Sequence, residues 1–241
     1  MRRVALITGA SSGIGLALTN LLLETSDEIS VVAVCRDRSN LVDLLLRFSE
    51  RLNIVEADIA TENGRNDLCD LITSVKKIEF LVHCAAIVTP LGPLENTNYI
   101  EWKTCQQTNV DAPVFLTLKL LNQLSHSRVL FLTSDTTLQA VYGAASYCVS
   151  KMALHMAYAC LKTEISPEKA VFGLVAPGNV DTPMQKRIRM TDPEDLPIAM
   201  VMKKAYEENQ FLSPQIVASY ISRLLLCLPR ISSKHEPFPK Y

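Results

Sequence analysis

The sequence predicts an α/β fold, a doubly wound parallel sheet of six or seven strands with helices on both faces, and three observations carry that reading. Short apolar runs alternate with helix-length segments as far as about Val175. The runs are apolar throughout rather than alternately polar, so both of their faces are buried, as in a parallel sheet. The first run leads directly into a glycine-marked turn and then a helix.

Val4 to Ile7 reads as the first strand, with Thr8 to Gly15 the turn and a helix continuing to about Glu24. Ile29 to Cys35 is a second strand, Leu41 to Phe48 helical, and Leu52 to Ala57 extended. Thr61 to Val75 reads as a helix with Thr61 in position to cap it. Ile78 to His83 is the fourth strand, followed by a Pro/Gly loop at Thr89 to Pro93 and a long helix from about Tyr99 to Leu124. Arg128 to Leu132, Ser146 to Glu164 and Ala170 to Val175 complete the pattern as strand, helix and strand. Beyond Pro177 the chain is rich in Met, Arg and Pro; 178–197 reads mostly as loop, part of an insertion over the sheet edge spanning about 178–212. Helices are predicted at about Ile198 to Asn209 and Ser213 to Cys227, before an aperiodic tail from Pro229 to Tyr241. No linker or repeat divides the 241 residues, so one domain, 1–241, is expected.

Composition excludes several function classes. Hydrophobic residues are 48% and charged residues 20%, with a formal net charge of -1 and no basic run to track phosphates, which argues against nucleic acid. The longest apolar runs, such as Leu224 to Leu228, cannot span a bilayer. The first strand begins almost at Met1 and leaves no room for a signal peptide. Seven cysteines show neither C-x-x-C pairs nor metal spacing, so free thiols in the cytosol and no metal are expected.

Two stretches carry chemistry. In Thr8-Gly9-Ala10-Ser11-Ser12-Gly13-Ile14-Gly15, glycines allow the backbone to turn tightly and approach a pyrophosphate, while the helix N-terminus offers amide donors. A plain strand-to-helix turn would use glycine as well; the position in the first βα unit favours a dinucleotide. In Tyr147-Cys148-Val149-Ser150-Lys151, a phenol and an ammonium four residues apart share a helix face. An ammonium held there is expected to pull the tyrosine pKa down from about 10. Alone, Y-x-x-x-K is often coincidence.

The two stretches in this order, about 130 residues apart, resemble the short-chain dehydrogenase/reductase family from about Arg3 through Leu228. The resemblance implies a Rossmann-type fold, a nicotinamide cofactor, and catalysis by Ser134, Tyr147, Lys151 and Asn109. Ser134 would hold a substrate carbonyl, Tyr147 exchange a proton, Lys151 tune Tyr147 and bind the nicotinamide ribose, and Asn109 support a relay water. It implies cofactor contacts from Gly9, Ser11, Ser12, Gly13, Ile14 and Gly15, and from Asp58 with Ile59 beside the adenine. Cys84, Ala85 and Ala86, in a His83-Cys84-Ala85-Ala86 stretch that departs from the family's N-N-A-G, belong to the same set. So do Tyr147, Lys151, Pro177, Gly178, Val180 and Thr182, the last against the nicotinamide carboxamide.

At the end of the second strand, Cys35 takes the place usual for an acidic residue, and Arg36 then faces a 2′-phosphate. This resembles NADPH-preferring members; Asp37 turned inward would instead select NAD. Pro177-Gly178-Asn179-Val180-Asp181-Thr182-Pro183-Met184-Gln185 resembles the signature of the sepiapterin reductase and benzil reductase branch, with Pro183 replacing a second acidic residue. The implied activity is NADPH-dependent reduction of a small apolar or aromatic ketone or diketone. An NAD-dependent alcohol dehydrogenase and a silent NADPH sensor are the alternatives. Ser134, Tyr142, Tyr147, Asp181 and Met184 are the expected substrate contacts, with Val88, Leu91, Leu138 and Met190 as further pocket candidates. Asp181 could equally cap its own turn. The two long helices match those through which the family forms homodimers.

Overall fold

The computed structural model describes residues 2–137 and 139–226. Leu138, Cys227 and the tail from Pro229 therefore lie outside the described residues. Six parallel strands form one sheet in the order β3-β2-β1-β4-β5-β6: β1 Arg3–Thr8, β2 Ile29–Cys35, β3 Leu52–Glu56, β4 Phe80–His83, β5 Ser127–Leu132 and β6 Ala170–Val175. Alternating residues face opposite layers, which is why the strands read as unbroken apolar runs. Ile7, Val31, Val82 and Leu130 enter one core with Leu18, Leu22 and Ile221. Their neighbours Leu6, Val32, Leu81 and Phe131 enter the other, with Leu68, Leu116 and Leu154. Helices α1 (Gly13–Thr25) and α9 (Pro214–Leu226) cover the first face. Helices α3 (Glu62–Leu71), α5 (Ala112–Lys119) and α6 (Ala145–Glu164) cover the second. The short α2 spans Val42–Arg47 beyond a 3₁₀ turn.

The strand order reverses between β1 and β4, so their carboxyl ends open a crevice there. Thr8 Oγ1 accepts a hydrogen bond from the Ala85 amide at 3.2 Å and pins the two strand ends together. Thr61 caps α3 as expected, accepting from the Gly64 amide at 3.0 Å.

Three elements differ from expectation. α3 stops at Leu71, where Gln123 Nε2 donates to the carbonyls of Ile72 and Val75 and ends the helix. The helix expected over 99–124 is interrupted: α4 spans Tyr99–Gln106, a π turn Gln107–Asp111, and α5 follows. Pro113 lacks the N–H that a continuous α-helix would give to the Asn109 carbonyl. Within the segment expected as loop, α7 spans Pro183–Arg189, with Thr182 accepting from the Gln185 amide at 3.3 Å and Pro183 opening the helix. α8 is Ile198–Glu207.

Candidate functional site

The crevice is a cleft of about 460 Å³ running from the end of β2, past the glycine turn and the end of β4, to the start of α6 and α7. Gly9 has φ +65°, and a Cβ on it would lie 2.8 Å from the backbone of Ala85. Only glycine permits that approach. The turn is held from outside by Asn40, whose Nδ2 donates to the Ser11 carbonyl at 3.0 Å. These backbone amides, at the N-terminus of α1, form a cradle suited to a pyrophosphate.

Gly9, Ser11, Ser12, Gly13, Ile14, Gly15, Arg36, Asp58, Ile59, Cys84, Ala85, Ala86, Tyr147, Lys151, Pro177 and Thr182 all line the cleft. Gly178 and Val180 do not: Gly178 is exposed, and the Val180 side chain is buried in the core beside its bridge to Leu212. His83 turns away from the cleft. It is buried, stacks on Phe131 at 5.0 Å, and meets Thr117 Oγ1 at 2.9 Å. Because the Thr117 hydroxyl donates to the Pro113 carbonyl at 2.7 Å, it accepts from His83 Nε2. Burial pushes the His83 pKa down to about 3, so the ring is neutral.

Tyr147 and Lys151 share one face of α6, with the Lys151 ammonium 5.6 Å from the Tyr147 ring centroid. Lys151 is 3% exposed and donates to the Leu132 carbonyl at 2.9 Å. Ser134, two residues beyond β5, does not itself line the cleft: its Oγ accepts from the Thr136 amide at 3.3 Å, and it stands close enough to the Tyr147 phenol to favour its charged form. The expected depression of the Tyr147 pKa is not what this arrangement produces. Burial pushes the phenol up to about 12, against which Ser134 acts, and burial pushes Lys151 down to about 8. Desolvation is the leading cause for both groups.

Asn109 sits in the π turn, buried behind the cleft wall rather than on it. Its Oδ1 accepts from the Ile87 amide at 2.8 Å; its Nδ2 donates to the Ile87 carbonyl at 2.8 Å and to Ser150 Oγ at 2.9 Å. It thus joins the loop after β4 to α6, and Thr108 beside it reaches the cleft.

Of the expected substrate contacts and pocket candidates, Tyr147, Met184 and Val88 line the cleft. Tyr142 and Met190 project from the surface, 62% and 74% exposed. Leu91 packs instead with Ala144, Leu196 and Ala199. Asp181 does not line the cleft; its carboxylate pairs with Arg189 at 3.1 Å, while Thr182 caps the helix. Missing from the sequence reading were Thr133, whose buried hydroxyl has no partner among the described residues, and Arg187. Arg187 lies four residues after Pro183 and shares its helix face, a signal concealed by reading the segment as loop. Among the described residues, no group of three His, Cys, Asp or Glu gathers to hold a metal, none of the six cysteines is paired, and no helix is long and apolar enough to cross a membrane.

A six-stranded doubly wound sheet with a glycine cradle at its switch point and Tyr147 and Lys151 together on one wall defines a Rossmann-type oxidoreductase site. The chain belongs to the short chain dehydrogenase family, whose model matches residues 3–193, and it accordingly binds a nicotinamide dinucleotide, NAD(P). It is 29% identical over 234 residues to a benzil reductase ((S)-benzoin forming) of Bacillus cereus, covering 92% of this chain and 94% of that one. A benzil reductase ((S)-benzoin forming) of Saccharomyces cerevisiae is 28% identical over 241 residues, covering 94% and 91%. The crystal structure of a short chain dehydrogenase/reductase from Saccharomyces cerevisiae superposes with a TM-score of 0.87 at 27% identity, over 93% of this chain and 90% of that one.

Proposed function

We propose that the protein is an NADPH-dependent carbonyl reductase acting on a small apolar or aromatic ketone or diketone. The observation that carries this reading is Tyr147 and buried Lys151 together on the cleft wall, with Ser134 near the phenol, close to the cradle that would hold the dinucleotide. The relatives named benzil reductase support the substrate class, as do Val88, Pro183 and Met184 on the cleft wall.

Preference for the 2′-phosphate rests on the end of β2. Cys35 supplies no carboxylate for ribose hydroxyls. Asp37 Oδ1 accepts from the Ser39 amide at 2.9 Å, which engages it in its own turn. Arg36 is exposed on the cleft rim, with no partner among the described residues. Arg36→Ala should therefore weaken NADPH binding by roughly tenfold or more, a loss in line with a charge-assisted pair, and leave NADH affinity nearly unchanged. Fluorescence titration with both nucleotides reads the difference; an equal loss for the two would remove the assignment.

When bound, the cofactor supplies a hydride to the carbonyl carbon. Ser134 positions the carbonyl oxygen by donating a hydrogen bond, and Tyr147 gives its phenolic proton to that oxygen as negative charge develops. A phenol with a pKa near 12 is fully protonated at neutral pH, the form a reductase needs in its general acid. Lys151 would hold the nicotinamide ribose and place its positive charge beside Tyr147. Asn109 would keep the π turn open towards a proton-supplying water. Tyr147→Phe is expected to lose at least a hundredfold in turnover while retaining nucleotide binding. NADPH consumption with benzil, sepiapterin, a steroid and an acetoacetyl thioester tests both substrate and residue, and comparable turnover in the mutant would sink the role given to Tyr147.

The same reading places the protein in the cytosol as a homodimer. Its support is the set of unpaired cysteines and the apolar outer faces of α4, α5 and α6.

A further inference from the structure

Arg189 joins four separate parts of the segment after β6. Its Nη2 donates to Asp181 Oδ1 at 3.1 Å, just before α7. Its guanidinium lies 3.8 Å from the ring centroid of Tyr206, at the end of α8, and 5.2 Å from that of Phe211. The two rings meet edge-to-face at 5.7 Å. The Arg189 side chain is only 9% exposed, and Nη1 is buried without a partner among the described residues. Around this cluster the backbone is stitched as well. Val180 bridges Leu212, the Asp181 amide donates to the Leu212 carbonyl, and the Leu212 amide to the Asn179 carbonyl, both at 2.9 Å.

The other end of α7 touches the cradle. A Cβ on Gly13 would lie 3.0 Å from Thr182 Cγ2. Pro183, Met184 and Arg187, on the helix between, line the cleft. A seven-residue helix has too few internal hydrogen bonds to hold its place unaided. Its position depends on what grips its two ends. A planar guanidinium stacked on a ring and paired with a carboxylate is a stiff grip, because stacking and pairing fix its plane and its direction together.

We propose that Arg189 is a positioning residue for the substrate wall: clamped between Asp181 and Tyr206, it sets the placement of α7 and so the fit of the carbonyl substrate against Met184. Asp181 thereby serves the wall and does not anchor the substrate. This rests on the carbonyl-reductase reading above, and the test separates the two.

Arg189→Met, Arg189→Lys and Asp181→Asn should each be compared with the wild type in benzil reduction, NADPH binding and amide hydrogen exchange. Arg189→Met is expected to raise KM for benzil about tenfold, an effect in the range a small misplacement produces, with kcat and NADPH affinity within about twofold. Arg189→Lys keeps charge but loses the planar stack and should recover only part of the loss. Asp181→Asn should follow Arg189→Met in the same direction. Amides of 184–189 should exchange at least about tenfold faster in Arg189→Met while those of the sheet stay unchanged. Unaltered exchange in α7 would overturn the clamp, and faster exchange with unaltered KM would overturn its link to substrate. A KM change in Asp181→Asn alone would return Asp181 to the substrate. Should the wild type reduce no carbonyl, the functional reading fails, while exchange still decides whether Arg189 holds α7.

Discussion

Burial acts on Tyr147 and Lys151 in opposite senses, and the consequences are separable by pH. Lys151 falls from its ordinary 10.5 to about 8 because its ammonium is desolvated. Between about pH 8 and 10.5 the unfolded chain holds the proton that the folded chain has released, so stability rises with pH across that window. Below about pH 8 both states are protonated and the full cost of burying the charge, roughly 3 kcal/mol for a shift of that size, bears on the fold. Tyr147 is raised from 10 to about 12 and contributes the reverse slope, stability lost as pH climbs from about 10 to 12. Cys84, pushed by desolvation from 9.0 up to about 12, adds a falling slope of its own above about pH 9, so in the window from pH 8 to 9 the lysine acts alone of the three. Lys151→Met should abolish the rise in melting temperature that the wild type shows there and should be at least as stable at pH 7. Parallel melting curves for the two proteins across pH 7 to 9 would contradict the burial of a charged lysine. Activity follows the same group: reduction should decline as pH rises through about 8, where the ammonium beside Tyr147 is lost.

The π turn shows how an element can serve the site without touching it. Asn109 satisfies both backbone groups of partly buried Ile87 and donates to Ser150, whose hydroxyl also donates to the Tyr147 carbonyl. Asn109→Leu leaves the Ile87 amide without its acceptor and should cost about 2 kcal/mol. It should also lower turnover, because Ile87 and the neighbouring Ala86 line the cleft. A melting temperature within a degree of the wild type would show that the loop is held by other means. Much at this scale was legible in the sequence. β2 and β6 begin and end at the expected residues, since a strand buried on both faces announces itself by composition alone. Thr61 was legible as a cap because its hydroxyl serves the very next turn. The sequence puts Asn109 on a helix without showing its interruption: Pro113 is visible there, whereas the loop that rewards the extra residue is not. α7 was missed for a related reason. Its Thr-Pro start resembles a loop, and the ring pair that steadies its end comes from residues 206 and 211. The sequence leaves Asp181 open between substrate anchor and turn cap, because Arg189, eight residues on, comes within reach only through α7.

At the scale of the whole molecule, the apolar surface is unevenly distributed. Val149, Met152 and Met156 follow one face of α6 and are 48%, 50% and 63% exposed. Leu154 and Leu161, on its opposite side, enter the core, so α6 is apolar on two faces and its own sheet accounts for one. Phe115 and Leu118 on α5, and Tyr99 and Ile100 on α4, are also exposed, and α4 packs beside α6. Patches of this kind mark contact surfaces, and a twofold axis across the two helices would cover each patch with its own copy. The homodimer proposed above then has a definite seam. Light scattering on the wild type should give about twice the 26.7 kDa of one chain. Met152→Lys with Met156→Lys should bring the mass to that of one chain, because two like charges would face their own copies across the axis. These side chains point away from the cleft, so nucleotide affinity should change by less than about twofold in the monomer. A wild type that is monomeric at micromolar concentration would refute the seam, and a dimer that survives both lysines would move it to another face.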